Sequence, residues 1–171
     1  MNLKVDKIGF SIEVDDALLD SLVGVGKSHY PNEFGGFLIG YYGEDNKHLY
    51  ITDTVLPKSF KASKCSFERS TKGIEKKLGE YYKESPQKFY VGEWHTHPDN
   101  SPYPSSADIM ALNAIKNDKD AGLANPVLLI IGYSTKLVNL GFYIFFDNNI
   151  YKYEKQRSEN CNFGNLFNRA L

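Results

Sequence analysis

The chain has 171 residues, enough for one domain with a full core. Hydrophobic residues make up 42% and charged residues 24%, which excludes a disordered chain, and no run of about 18 apolar residues offers a membrane span. Lys and Arg number 20 against 21 Asp and Glu, so a net charge of −1 leaves no basic footprint for nucleic acid.

Taken in order, Ile8, Phe10, Ile12 and Val14 alternate with Gly9, Ser11 and Glu13, which predicts a half-buried first strand. Asp15 or Asp16 caps a helix carrying Leu18, Leu19, Leu22 and Val23 at helical spacing, expected to end near Gly24 or Gly26. His29 to Asn32 reads as a turn. Glu33-Phe34-Gly35-Gly36 opens the strand Phe37 to Tyr42, which pairs as a hairpin with Leu49 to Leu56. Gly35 and Gly36 predict a close backbone approach, or room for a substrate chain. The polar stretch Lys58 to Ser70 reads as a surface loop. A helix starting at Thr71 carries Ile74, Leu78, Tyr81 and Tyr82 and ends before Pro86.

Lys88 to His95 is the third main strand. Phe89, Val91 and Glu93 are expected on one face and Tyr90, Gly92 and Trp94 on the other, with the histidines leaving the sheet at its end. Ser105 or Ser106 caps a helix striped by Ile109, Leu112 and Ile115. Val127 to Gly132 is a continuous apolar run suited to a central strand buried on both faces. Leu137 to Phe146 and a short edge strand Ile150 to Tyr153 follow. The polar, Asn-rich tail holds Phe163, Leu166 and Phe167, which could dock on the body or on a partner. Helices alternating with mixed strands, and no repeat or linker, predict a single α/β sandwich. Cys65 and Cys161 have no paired spacing and read as free thiols. With no signal-peptide core after Met1, a cytoplasmic setting is expected.

The chemistry centres on Gly92-Glu93-Trp94-His95-Thr96-His97-Pro98 and the ten residues after it. Histidines at i and i+2 of a strand point to one face, because the side-chain period is two. Asp108 can return a carboxylate to the same point if the loop of Pro98, Asp99, Asn100, Ser101, Pro102 and Pro104 turns back. Two imidazoles and one carboxylate leave a fourth tetrahedral position for water, as in a catalytic zinc site. Ser105-x-x-Asp108 also reads as a capping box with Asp in place of the commoner Glu. His29 and His48 match no such pattern and read as surface residues. Glu93 and Trp94 read as support or core, with Trp94 a possible wall of the site.

His-Thr-His-Pro, six further residues, then Ser-x-x-Asp, with Glu33 upstream after a helix, resembles the JAMM motif of JAB/MPN-domain metalloproteases. The resemblance spans Asp15 to Tyr153 and no ligand of the motif is missing. It implies a mixed β-sheet flanked by helices, the MPN/JAB form of the cytidine-deaminase-like sandwich. The implied domain is 1–157, with 158–171 a docked or disordered tail. Gly92 to Pro98 is most similar to the deconjugating peptidase of CBASS anti-phage operons.

The resemblance implies that His95, His97 and Asp108 bind one Zn²⁺, that Glu33 is the general base and then acid, and that Ser105 hydrogen-bonds the oxyanion. It implies a substrate joined through the C-terminal tail of a ubiquitin-like modifier or of a cGAS/DncV-like nucleotidyltransferase, with an E1/E2-like partner installing the bond. Neither nucleic acid nor membrane enters. Two alternatives stay open: a JAB peptidase trimming sulfur-carrier precursors, and a non-catalytic MPN scaffold.

Overall fold

The computed structural model describes residues 1–134 and 137–155. Phe163, Leu166, Phe167 and Cys161, with the expected tail, lie outside the described residues. Nine strands form one mixed sheet: β1 (Asn2–Val5), β2 (Phe10–Val14), β3 (Gly35–Tyr42), β4 (His48–Val55), β7 (Phe89–Pro98), β8 (Val127–Tyr133), β9 (Val138–Phe146), β10 (Asn149–Lys152) and β11 (Glu154–Lys155). Their spatial order is β10-β9-β8-β7-β3-β4-β2-β1-β11. Pairing is antiparallel except for β2 with β4 and β7 with β8.

β10 and β11 sit at opposite edges of this sheet, yet only Tyr153 separates them in the chain. The sheet therefore curls until its two ends meet. Phe10 on β2 and Phe146 on β9 bring their rings to 5.3 Å, and Tyr153 is buried in the same cluster. Leu19 and Leu22 of α1 (Asp16–Ser28) fill the space the curl encloses, with Ile12, Leu38, Trp94, Leu129 and Phe142 around them. The outer face is covered by two further helices. Ile74 and Tyr81, at the start and end of α2 (Glu75–Tyr81), pack on Phe37, Ile39 and Val55. Leu112 of α3 (Ser106–Asn117) packs on Leu128, Ile130, Tyr143 and Phe145. This is the expected mixed sheet flanked by helices. Among the described residues no helix is long and apolar enough to cross a membrane.

Four local expectations need correction. α1 does not stop at Gly24 or Gly26 but runs to Ser28, capped at its start by Asp15 Oδ1 accepting from Ala17 N–H. Gly26 is there because a Cβ would collide with Thr96 Cγ2, so the glycine sets how closely α1 lies on β7. The stretch after Lys58 is not a plain loop but a hairpin, β5 (Phe60–Ser63) with β6 (Ser66–Arg69). Lys61, Lys64, Ser66 and Glu68 face water while Phe60 and Phe67 pack on Phe34, a pattern two aromatics in ten residues hardly announce. His29 stacks on Phe34 at 3.6 Å and His48 lies 2.7 Å from Ser11 Oγ, so both histidines are half-buried packing residues rather than surface ones.

The last correction concerns β7. The register against β3 shifts between Leu38 and Ile39: Gly92 faces Leu38 and Tyr90 faces Ile39, leaving Val91 as an extra residue. A bulge of this kind reverses the alternation beyond it. Val91 therefore joins Trp94 in the cluster under α1, while Tyr90 shares the outer face with Glu93, to which its hydroxyl donates at 2.8 Å. Nor do the histidines leave the sheet. β7 stays paired through Pro98, with Gly35 opposite His95 on one side and Ile130 and Gly132 beside His95 and His97 on the other.

Candidate metal centre

His95 and His97 sit on the outer face of β7, two residues apart, in line with Ile130 of the cluster under α3. His95 is paired with Gly35 of β3 and Ile130 of β8, and His97 with Gly132 of β8. Their Nε2 atoms lie 3.1 Å apart. Asp108, in the first turn of α3, brings Oδ1 to 3.3 Å from His95 Nε2 and Oδ2 to 3.8 Å from His97 Nε2. All three ligand atoms fall within 4.8 Å of one another, and all three side chains are mostly buried.

The return of Asp108 depends on the loop between Pro98 and Ser105. Asp99 adopts φ +55° and its N–H donates to Tyr133 O at 2.7 Å, turning the chain back along the sheet. The loop then presses directly onto β8, since a Cβ at Gly132 would collide with Asn100 O and Pro102 N. Tyr143 Oη donates to Pro102 O at 2.8 Å and pins it. Ser105 caps α3: its Oγ accepts from Asp108 N–H, and Asp108 Oδ2 accepts from Ser105 N–H at 2.6 Å and from Ser105 Oγ at 2.7 Å. The capping box and the ligand position are thus compatible, one carboxylate oxygen serving the cap while the other faces His95.

The donor set suits a divalent cation. His97 Nδ1 lies 3.0 Å from Ser101 O, and a carbonyl can only accept, so Nδ1 carries the proton and Nε2 turns its lone pair inward. Burial lowers the pKa of His95, with His97 and Arg69 lowering it further and Asp108 opposing. His95 is therefore a neutral imidazole with a free lone pair at neutral pH. The two Nε2 atoms lie 3.1 Å apart beside the Asp108 carboxylate, a spacing that a shared proton or a cation can bridge. A tetrahedral cation with bonds of about 2.0–2.1 Å sets its ligand atoms about 3.3 Å apart, close to the spacing found here.

Glu33 stands at the junction between α1 and β3, held by its N–H donating to Ser63 O of the hairpin at 2.8 Å. The next residue is clamped to the metal strand: Phe34 N–H donates to Thr96 Oγ1 and Thr96 N–H donates to Phe34 O. Thr96 lies between the two histidines and is wholly buried. Gly35 allows β3 this near, because a Cβ there would strike the Trp94 carbonyl, which is the close approach its sequence suggests. The Glu33 carboxyl is half-buried. Burial raises its pKa, with His97 opposing that and Asp108 adding to it.

Some supporting residues are invisible in the sequence. Arg69 of β6 reaches across to form an ion pair with Glu93, two residues before His95, and its guanidinium stacks 4.8 Å from the Phe37 ring. A lone arginine in a polar stretch gives no sign of this partner. Thr96 carried a weak sign, since a residue between two ligands on a strand must face the opposite core. The Trp94 side chain is core, buried under α1 and donating Nε1–H to Thr54 Oγ1 at 2.9 Å, and the residue also lines the small pocket beside His95 and Asp108.

The profile of the family described as prokaryotic homologs of the JAB domain matches residues 15–141. A protein of Enterobacter hormaechei named CD-NTase/cGAS isopeptidase is 32% identical over 124 residues, 72% of this chain and 68% of that protein. Two more proteins of that name match over about half of their own length. A probable metalloprotease of Sinorhizobium fredii is 23% identical over 70% of this chain and 74% of that one. A solution structure of a protein from Desulfitobacterium hafniense shares the fold, with a TM-score of 0.57 at 16% identity over 82% of this chain and 88% of the other. With three-quarters of its length inside the family profile, this chain belongs to the prokaryotic JAB family and is a hydrolase of the JAMM type.

Proposed function

We propose that the chain is a zinc-dependent isopeptidase that releases a cGAS/DncV-like nucleotidyltransferase, or a ubiquitin-like modifier, from proteins to which its C-terminal tail is joined. In the CBASS setting, in the cytoplasm, this would reverse the work of an E1/E2-like partner and limit the anti-phage response. The single observation that carries the reading is the meeting of His95, His97 and Asp108 within 4.8 Å on a chain 32% identical to a CD-NTase/cGAS isopeptidase.

His95 Nε2, His97 Nε2 and Asp108 would hold the zinc ion. When bound, zinc supplies Lewis acidity, lowering the pKa of its water from 15.7 toward about 7 and polarising a carbonyl. The chain's own residues do the rest. Glu33, its pKa raised by burial, accepts a proton from the attacking water and hands it to the departing lysine amine. Ser105 donates to the oxyanion of the tetrahedral intermediate; one such donor is worth roughly 3–4 kcal/mol of barrier in another hydrolase. Ser101 O keeps His97 in the tautomer that ligates. The complete donor set weighs against a scaffold that has lost its metal.

Metal analysis of tag-free protein is expected to find about one zinc per chain. Glu33→Ala is expected to keep that zinc and to lose cleavage of a nucleotidyltransferase conjugate by about 10²-fold or more. Wild-type rates from that variant would overturn the mechanism. Faster cutting of a sulfur-carrier precursor than of the conjugate, compared by mass spectrometry, would move the substrate to that class.

A further inference from the structure

The near-neutral total charge hides a strong segregation. Residues 58–77 hold seven Lys and Arg against two Glu, while the rest of the chain holds thirteen against nineteen Asp and Glu. Arg69 is neutralised by Glu93, and Lys77 reaches Glu80 at 3.4 Å. Lys58, Lys61, Lys64, Lys72 and Lys76 are exposed and make no ion pair among the described residues.

Two of these lysines, Lys58 and Lys76, line a hollow, together with the Lys77–Glu80 pair. Between the end of β4, the loop at Lys58 and α2 lies a cavity of about 400 Å³. Val55, Leu56 and Ile74 form its floor, and Lys58, Lys76 and Lys77 stand on its rim. Leu56 is 41% exposed. The cavity opens on the outer face, since Val55 and Ile74 belong to the cluster under α2. It also lies in line with the metal strand. Val55 pairs with Phe37, and Phe37 pairs with Glu93, two residues before His95. With strands about 4.8 Å apart, the hollow is on the order of 10 Å from the histidines, the reach of three or four extended residues.

We propose that this hollow docks an acidic segment of the protein substrate, with an aliphatic side chain on the Val55–Leu56–Ile74 floor and flanking carboxylates against Lys58 and Lys76. The inference rests on the isopeptidase reading, in that the docked segment belongs to the conjugate whose bond is presented at His95, His97 and Asp108. An apolar floor suits a peptide side chain better than a phosphate backbone, which would call for a row of cations and no floor. Rim charges of this kind act on encounter and on salt dependence more than on the bond-breaking step.

The test is fluorescence anisotropy on the zinc-loaded full chain. The probes are a labelled octapeptide alternating Glu and Leu, its Gln-for-Glu analogue, and a single-stranded DNA octamer. The acidic peptide is expected to bind wild type and Glu33→Ala alike. Its affinity should fall about tenfold or more between about 50 and about 500 mM salt, and equally in Lys58→Glu/Lys76→Glu. On the conjugate, the double variant is expected to raise KM about tenfold at unchanged kcat. Equal binding of the peptide by wild type and the charge-reversed variant would overturn the proposal, as would tighter binding of the DNA or of the Gln analogue. Binding is read without cleavage, so the two readings fail separately. A chain that docks the peptide but cuts no conjugate sinks the isopeptidase and keeps the dock. Unimpaired cutting by the charge-reversed variant sinks the dock alone.

Discussion

Asp108 serves two partners with two oxygens. Oδ2 closes the cap of α3 and Oδ1 faces His95, so the start of the helix aims the ligand. Ser105 is the residue where cap and chemistry can be separated, because its hydroxyl donates to Asp108 in this structure. Ser105→Ala is expected to cost about 1 kcal/mol of stability from the lost cap. With zinc saturating, kcat is expected to fall about 10²–10³-fold from the lost oxyanion donor. Zinc affinity measured by competition with a chelating dye is the control. If excess zinc restores the rate, Ser105 acts only by holding Asp108, and its role at the oxyanion is lost. The pattern of these residues was legible in the sequence, for a physical reason. The period of two on a strand and the Ser-x-x-Asp spacing of a helix start are local geometry. The tautomer of His97 was not legible, because it depends on where a loop carbonyl comes to rest.

At the scale of elements, β7 and the hairpin are coupled through one polar triad. Arg69 of β6 meets Glu93 on β7, and Tyr90, brought to the same face by the bulge at Val91, donates to Glu93 as well. Burial pushes the Tyr90 phenol up to about 12, against about 10 in an unfolded chain. The folded state therefore keeps a proton that the unfolded state releases. That contribution is whole below about pH 10 and is lost as pH rises through about 12. Wild type is expected to lose about 1 kcal/mol more than Tyr90→Phe between about pH 9 and about pH 11 in urea unfolding. Parallel curves for the two proteins would show that Tyr90 ionises as freely folded as unfolded. The sequence placed the start of β7 within one residue and stopped it three residues short of Pro98, at the histidines. It assigned the wrong faces to Val91 and Tyr90, because a bulge is a property of pairing with β3 and leaves no mark on one strand alone.

Across the whole molecule, the site joins parts distant in the chain. β7 supplies the histidines and α3 the aspartate, the proposed base Glu33 stands at the α1–β3 junction, and the curled sheet holds these elements in one frame. A cation binding only the folded chain should stabilise all of it, by about 2.7 kcal/mol at a free concentration of 100 times Kd. Stripping with a chelator is expected to lower Tm by several degrees and abolish cleavage, and zinc is expected to restore both. An unchanged Tm together with surviving cleavage would remove the metal from the mechanism. By itself the sequence determined the main strands and helices, the α/β class and the pattern that brings His95, His97 and Asp108 together, since periodicity, capping and turn chemistry act over a few residues. Only the tertiary structure decided that Thr96 clamps Phe34, the neighbour of Glu33, that Arg69 meets Glu93, and that Lys58 and Lys76 flank one apolar hollow. Those are meetings between segments tens of residues apart, set by how the sheet curls and the helices pack, and no local pattern encodes them.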